Sequence, residues 1–128
     1  MFEKLKITAM AQAMAAHAGA RMGTIASNVA NADTPGYRTQ DLADFGQSWA
    51  EAGGDGGMRA TRAGHLGGAA SQMSLQAVAI GGHSGPDGNS VSLEAEMVKA
   101  VEVRQQHDMA LAIYRNTSSV IRTSLGRQ

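Results

Sequence analysis

Histidines, serines and carboxylates are the side chains in this sequence that could do metal, nucleophilic or acid–base chemistry, and their spacing supports none of the three. His17, His65, His83 and His107 could each ligate a divalent cation, but none shares a predicted helix with a second His, Asp or Glu three or four residues away. Ser71, Ser74, Ser84 and Ser90 lie in polar, Gly-rich sequence without the strand, turn and helix that expose a nucleophile, and no glycine cluster has the strand, lysine and helix context of a phosphate loop. Asp41, Asp44, Glu51 and Asp55 fall in a segment whose composition reads as mobile, where an acid and a base would not be held at working geometry. The chain has no cysteine, which removes disulfides, thiolate metal sites and cysteine nucleophiles together. An enzyme is the least supported class, and no catalytic, cofactor-binding or metal-binding residue is assigned.

The local chemistry that does stand out is a turn. In Asn28-Val-Ala-Asn31-Ala-Asp-Thr34-Pro35-Gly36-Tyr37-Arg38, Pro35 cannot continue a helix, and Gly36 supplies the positive φ that the third position of a type II turn requires. Asn31 and Asp33 suit capping of a helix end. Asn28, one turn earlier, is placed to reach a partner helix or an adjacent subunit, and Tyr37 carries a ring with a polar tip suited to an interface.

Two long arms flank that turn and the Gly-rich sequence after it. Ile7, Met10, Met14, Ala18, Met22, Ile25 and Val29 recur every three or four residues, which predicts an amphipathic helix over about residues 3 to 31, roughly 40 Å long. Ala9, Ala13, Ala16 and Ala20 form a second, small-residue stripe that admits a close neighbour. The second arm begins after Ser92 as N-cap, with Glu94 and Glu96 in the first turn, and ends at Gly126. Its stripe runs Leu93, Met97, Ala100, Arg104, His107, Leu111, Tyr114, Ser118, Ile121 and Leu125, with a polar interruption at Arg104 and His107. Between the arms, twelve of the sixteen glycines lie from Gly46 to Gly88, so no packed domain is expected there. The expected fold is all-α: N- and C-terminal helices pairing as a coiled-coil-like hairpin across an irregular middle. The boundaries are 1–33 for the first helix, 34–88 for the turn and connection, and 89–128 for the second helix.

The string from Asn28 to Arg38 resembles the N-terminal motif of bacterial flagellar rod and hook proteins. Asn89-Ser-Val-Ser-Leu-Glu-Ala-Glu-Met-Val98 and Ile121-Arg-Thr-Ser-Leu-Gly126 resemble the start and end of the last helix in the proximal-rod members of that family. Ser92 stands where the family often has Asp, and both residues cap helices well. The resemblance covers roughly residues 1–45 and 89–127. It implies a structural subunit of the proximal rod, the drive shaft of the basal body, polymerising through its terminal helices. It also implies export without a cleaved signal through the flagellar type III apparatus, and neighbours that include FlgC and its relatives, the adaptor FliE and further copies of the chain. Asn28, Asn31, Thr34, Pro35, Gly36 and Tyr37 would form the assembly motif. Ile7, Met14, Met22, Ile25, Val29, Leu93, Met97, Leu111, Tyr114, Ile121 and Leu125 would form the helix interface.

Eleven basic and eleven acidic residues cancel, which argues against a nucleic-acid groove or an anionic membrane surface. Thr8, Gln12, His17 and Arg21 interrupt the most apolar stretch, so direct membrane insertion is not expected. Lys4 and Lys6 before Ile7 to Ala16 could open a secretory leader, but Glu3, Gln12 and the uninterrupted stripe favour retained structure. The rival readings are a small helical-hairpin adaptor binding one partner helix and an enzyme accessory with a cleaved leader.

Overall fold

A computed structural model describes residues 2–52, 73, 75–82 and 84–126. His65, His83, Asp55, Ser71, Ser74 and most of the Gly-rich window therefore lie outside the described residues. The order of elements is α1 (Phe2–Ala30), β1 (Gln40–Asp41), α2 (Phe45–Glu51), β2 (Val78–Ala79) and α3 (Leu93–Ser124). The expected helical hairpin is present. At 1.5 Å per residue, the 29 residues of α1 and the 32 of α3 give rods of roughly 43 and 48 Å.

Local chemistry sets the helix ends. Ser92 accepts from the Ala95 amide at 3.4 Å and starts α3, while Gly126, at φ +69°, terminates it. At the end of α1, the Asn31 side chain donates to the Ser27 carbonyl at 2.8 Å, and Pro35 follows four residues later.

The helices run antiparallel, with Asn28 near the end of α1 meeting Glu96 in the first turn of α3. Ala18, Ile25 and Val103 form the buried apolar cluster, flanked by Met22 and Ala100. The inward lines alternate steps of three and four: Ala11, Met14, Ala18, Arg21, Ile25 and Asn28 on α1, and Glu96, Ala100, Val103, His107 and Ala110 on α3, all buried or half-buried. This shifts the expected α3 stripe. Val103, fully buried, takes the centre of the seam while Arg104 points outward, and Met97 is 69% exposed. The polar interruption expected at Arg104 and His107 is therefore a half-buried flank at His107 and an outward position at Arg104. The shift has a cause, because Glu96 turns inward to meet Asn28 and fixes the rotation of the helix. Four alanines in these lines leave little apolar bulk, and the remaining side chains contribute about 1.5–3 kcal/mol for each fully buried Ile or Val.

The middle of the chain carries more order than its composition suggests. β1 and β2 pair antiparallel, with Gln40 opposite Ala79 and Asp41 opposite Val78. Asp44 caps the roughly two turns of α2 by accepting from the Gly46 amide at 2.9 Å. Phe45 sets its ring edge-on to His17, with centroids 5.7 Å apart, and stacks on Trp49.

Candidate functional site

The chain leaves α1 through the expected turn. Tyr37 donates its amide to the Thr34 carbonyl at 3.2 Å, and Gly36 sits at φ +73°, as a type II turn requires. A second turn, Gly85-Pro86-Asp87-Gly88, closes with the Gly88 amide on the Gly85 carbonyl at 2.9 Å and abuts the first. The Gly36 amide donates to Asp87 O at 3.0 Å. Gly88 also has positive φ, +79°, and a Cβ there would lie 3.5 Å from Gly36 Cα, so the two glycines pack backbone against backbone.

Asn28 is fully buried and uses every position of its amide. Nδ2 donates to Gln40 O at 2.7 Å and to Glu96 Oε2 at 2.9 Å, while Oδ1 accepts from Gln40 N at 3.1 Å and from the Tyr37 hydroxyl at 3.3 Å. The side chain thus imitates a strand partner for Gln40 and also crosses to α3. Glu96, 1% exposed, accepts from Lys99 Nζ at 2.8 Å through its other oxygen. A buried carboxylate left without such partners would be strongly destabilising.

Residues 37–44 form a strap lying along α1 and touching both helices. Arg21 grips Asp41 bidentately at 2.6 and 2.8 Å, Lys99 of α3 approaches the same carboxylate at 3.7 Å, and His17 Nε2 donates to Ala43 O at 2.8 Å. Burial pushes the Asp41 carboxyl up, but hydrogen bonding and charge from Arg21, the Leu42 amide and Lys99 outweigh it and hold the group below its ordinary range. Asp41 and Asp44 are therefore not in a loose segment, as composition suggested; one is clamped by Arg21 and the other caps α2. His17, isolated from other ligand types in the sequence, is buried beneath the strap. No group of three or more His, Cys, Asp or Glu able to hold a metal occurs among the described residues.

Of the turn residues singled out in the sequence, Asn28, Asn31, Thr34, Gly36 and Tyr37 bond within the chain, while Thr34, Pro35 and Gly36 remain exposed at the tip. Of the helix residues, Ile25 is buried and Met14, Met22, Leu111 and Ile121 are half-buried. Ile7, Val29, Leu93, Met97, Tyr114 and Leu125 are exposed on the single chain. The sequence reading missed Asn89, Asp41 and Glu96 as members of the site. Asn89 Nδ2 lies 3.0, 2.7 and 2.9 Å from the carbonyls of Asn31, Ala32 and Thr34, bracing the end of α1. Its signal was available, because Gly-Pro-Asp-Gly immediately before it is a strong turn sequence.

The sequence is similar to those of known proteins. Residues 7–38 match the family described as flagella basal body rod protein. The flagellar basal body rod protein FlgB of Cereibacter sphaeroides (strain ATCC 17029) is 32% identical over 110 residues, covering 82% of each chain. FlgB of Agrobacterium fabrum is 25% identical over 118 residues, covering 89% of this chain and 88% of the relative. With the family match spanning most of α1 and the turn, and 32% identity to a relative over four-fifths of each chain, the chain belongs to the family of the flagellar basal body rod protein FlgB.

Proposed function

We propose that this chain is a subunit of the proximal rod, polymerising through α1 and α3 into a tube wall that transmits motor torque. Family membership makes it a structural component of the flagellar basal body, and its curated relatives are rod proteins rather than enzymes. The observation that carries the polymerising role is the surface one hairpin leaves uncovered. Leu93, Met97, Val98 and Val101 form an apolar patch 50–69% exposed on the first turns of α3. The outer face of α1, from Ala9 through Ala16, Gly19, Gly23 and Ala26 to Ala30, is exposed and uncharged. Helical assemblies arise when such different faces of one subunit meet without closing. Among the described residues no helix is long and apolar enough to cross a membrane.

In this reading the chain passes through the type III export apparatus without a cleaved signal and stacks in the periplasm on FliE, on FlgC and its relatives, and on copies of itself. Electron microscopy of basal bodies from cells lacking the gene, with the gene restored as control, tests it. Rings without a rod, rescued by the gene, are expected. Complete rods in the deletion would refute the subunit role and leave a helical-hairpin adaptor.

A further inference from the structure

We infer that Glu96 and Asn89 are positioning residues of the turn motif, so that α3 and its lead-in, as well as α1, give the turn and strap their shape. The turn and strap have few means of fixing themselves. Pro35 and Gly36 define one bend, Arg21, His17 and Asn28 hold the strap to α1, and β2 pairs with Gln40 and Asp41 while Ile80 N donates to Thr39 O at 2.8 Å; a further set of bonds comes from residues 87–99. Asp87 O receives the Gly36 amide, Tyr37 O receives the Ser90 amide at 3.0 Å, and Thr39 exchanges bonds with Ser90 at 2.7 and 2.9 Å.

In that set the Glu96 side chain reaches α1 itself, and the Asn89 side chain reaches the turn of chain just past it. α1 has no basic residue in its last turn, and Asn31 is the local side chain that donates to a carbonyl there, that of Ser27. Asn89, 6% exposed, brings its two amide hydrogens to the carbonyls of Asn31, Ala32 and Thr34 just past the end of α1, while its Oδ1 accepts from Val91 N at 2.8 Å and anchors it to its own segment. Glu96 acts through Asn28. A carboxylate only accepts, so it demands the Nδ2 side of the Asn28 amide, and this turns Oδ1 toward the Gln40 amide and the Tyr37 hydroxyl. The hydrogen bonds of the motif are thereby spent inside the chain, and what is offered outward is the tip at Asp33–Gly36 and Arg38, aimed by α3. The inference concerns contacts within one chain and stands apart from the rod reading.

Native-state hydrogen exchange on the full-length chain tests it, comparing the Gly36 and Gln40 amides with the Val103 amide in mid-helix. Glu96→Ala and Asn89→Ala should speed exchange at Gly36 and Gln40 about tenfold or more relative to Val103. Ser92→Ala weakens α3 at its cap without touching the strap, so all three amides should shift together. Glu96→Gln keeps an acceptor for Asn28 and should restore most of the Gln40 protection lost in Glu96→Ala. Should Glu96→Ala fail to fold, Asn89→Ala and Glu96→Gln decide the matter. An unchanged ratio in Asn89→Ala, a selective loss in Ser92→Ala, Glu96→Gln no better protected than Glu96→Ala, or an unprotected Gln40 in the unaltered chain would overturn the inference.

Discussion

Replacing Asn28 separates a polar latch from mere filling of space. In Asn28→Ala, four hydrogen bonds vanish: the charged one to Glu96, two to the Gln40 backbone and one from Tyr37. A bond to a charged group contributes about 1.5–3 kcal/mol and a neutral one about 0.5–1.5. Gln40 is exposed, so its backbone recovers some water, and alanine regains about 0.5 kcal/mol of helix propensity. The net loss should be about 3 kcal/mol, a large share of the ~5–15 kcal/mol typical of a domain. In a chain of this size that lowers the melting temperature by about 10–15 °C. Asn28→Asp keeps the volume but sets a second carboxylate where Nδ2 lies 2.9 Å from Glu96 Oε2, and it removes both donors. It should be less stable than the alanine variant at pH 7. Urea titrations followed by circular dichroism at 222 nm measure both. Asn28→Asp matching or exceeding Asn28→Ala, or Asn28→Ala within about 0.5 kcal/mol of the parent, would refute the account of this network.

Gly36→Val should cost about 2 kcal/mol or more through backbone strain alone, since nothing lies within 4 Å of an added Cβ, and Gly36→Asn should be milder; thermal melts compare the two. The Asp41 carboxyl lies below its unfolded value, so its contribution to stability is complete above about pH 4 and drains away as pH falls through the folded value. Asp41→Asn should flatten that part of the acid limb in urea titrations between pH 2 and 6, and an unchanged limb would show that Arg21 does not hold the group. Gly19→Ala and Gly23→Ala should each stabilise the isolated chain by about 0.5–1 kcal/mol, because both glycines lie within α1 with open space at Cβ. Rod incorporation should fall in the same variants, and normal incorporation would count against close packing on that face.

The ends of the helices were legible because their signals are local. Ser92, Pro35, Gly36 and Gly126 each act within a few residues, and each does what its chemistry dictates. The rotation of α3 was not legible from an apolar stripe, since its inward line passes through Glu96 and three alanine or valine positions that a search for large apolar side chains undervalues. The heptad spacing of Glu96 with Val103 and Ala110 was present in the sequence, but an acid in a seam is read as buried only once its partner is known. Asn28 is 68 residues from Glu96 and Asn89 is 57 from Ala32, distances over which no periodicity carries information. The strap was obscured for the same reason: Arg21 and Asp41 look like scattered surface charges until the chain doubles back along α1.

The antiparallel arrangement makes the hairpin resemble a clothes-peg, with its side-chain latch between α1 and α3 at one end. Asn28, Glu96, Asn89 and the strap gather where α1 hands over to the turn. Toward the chain termini, among the described residues of the helices, nothing is buried beyond Ala11 on one side and Ala110 on the other. Opening free energy therefore falls along the molecule from the latched end to the free one. The tips can spread by small changes in helix separation at little cost, whereas sliding one helix past the other would pull Glu96 from Asn28 and Lys99. Such a body yields in width and holds in register, which in the proposed rod would let copies settle against neighbours of unequal girth without losing their axial spacing.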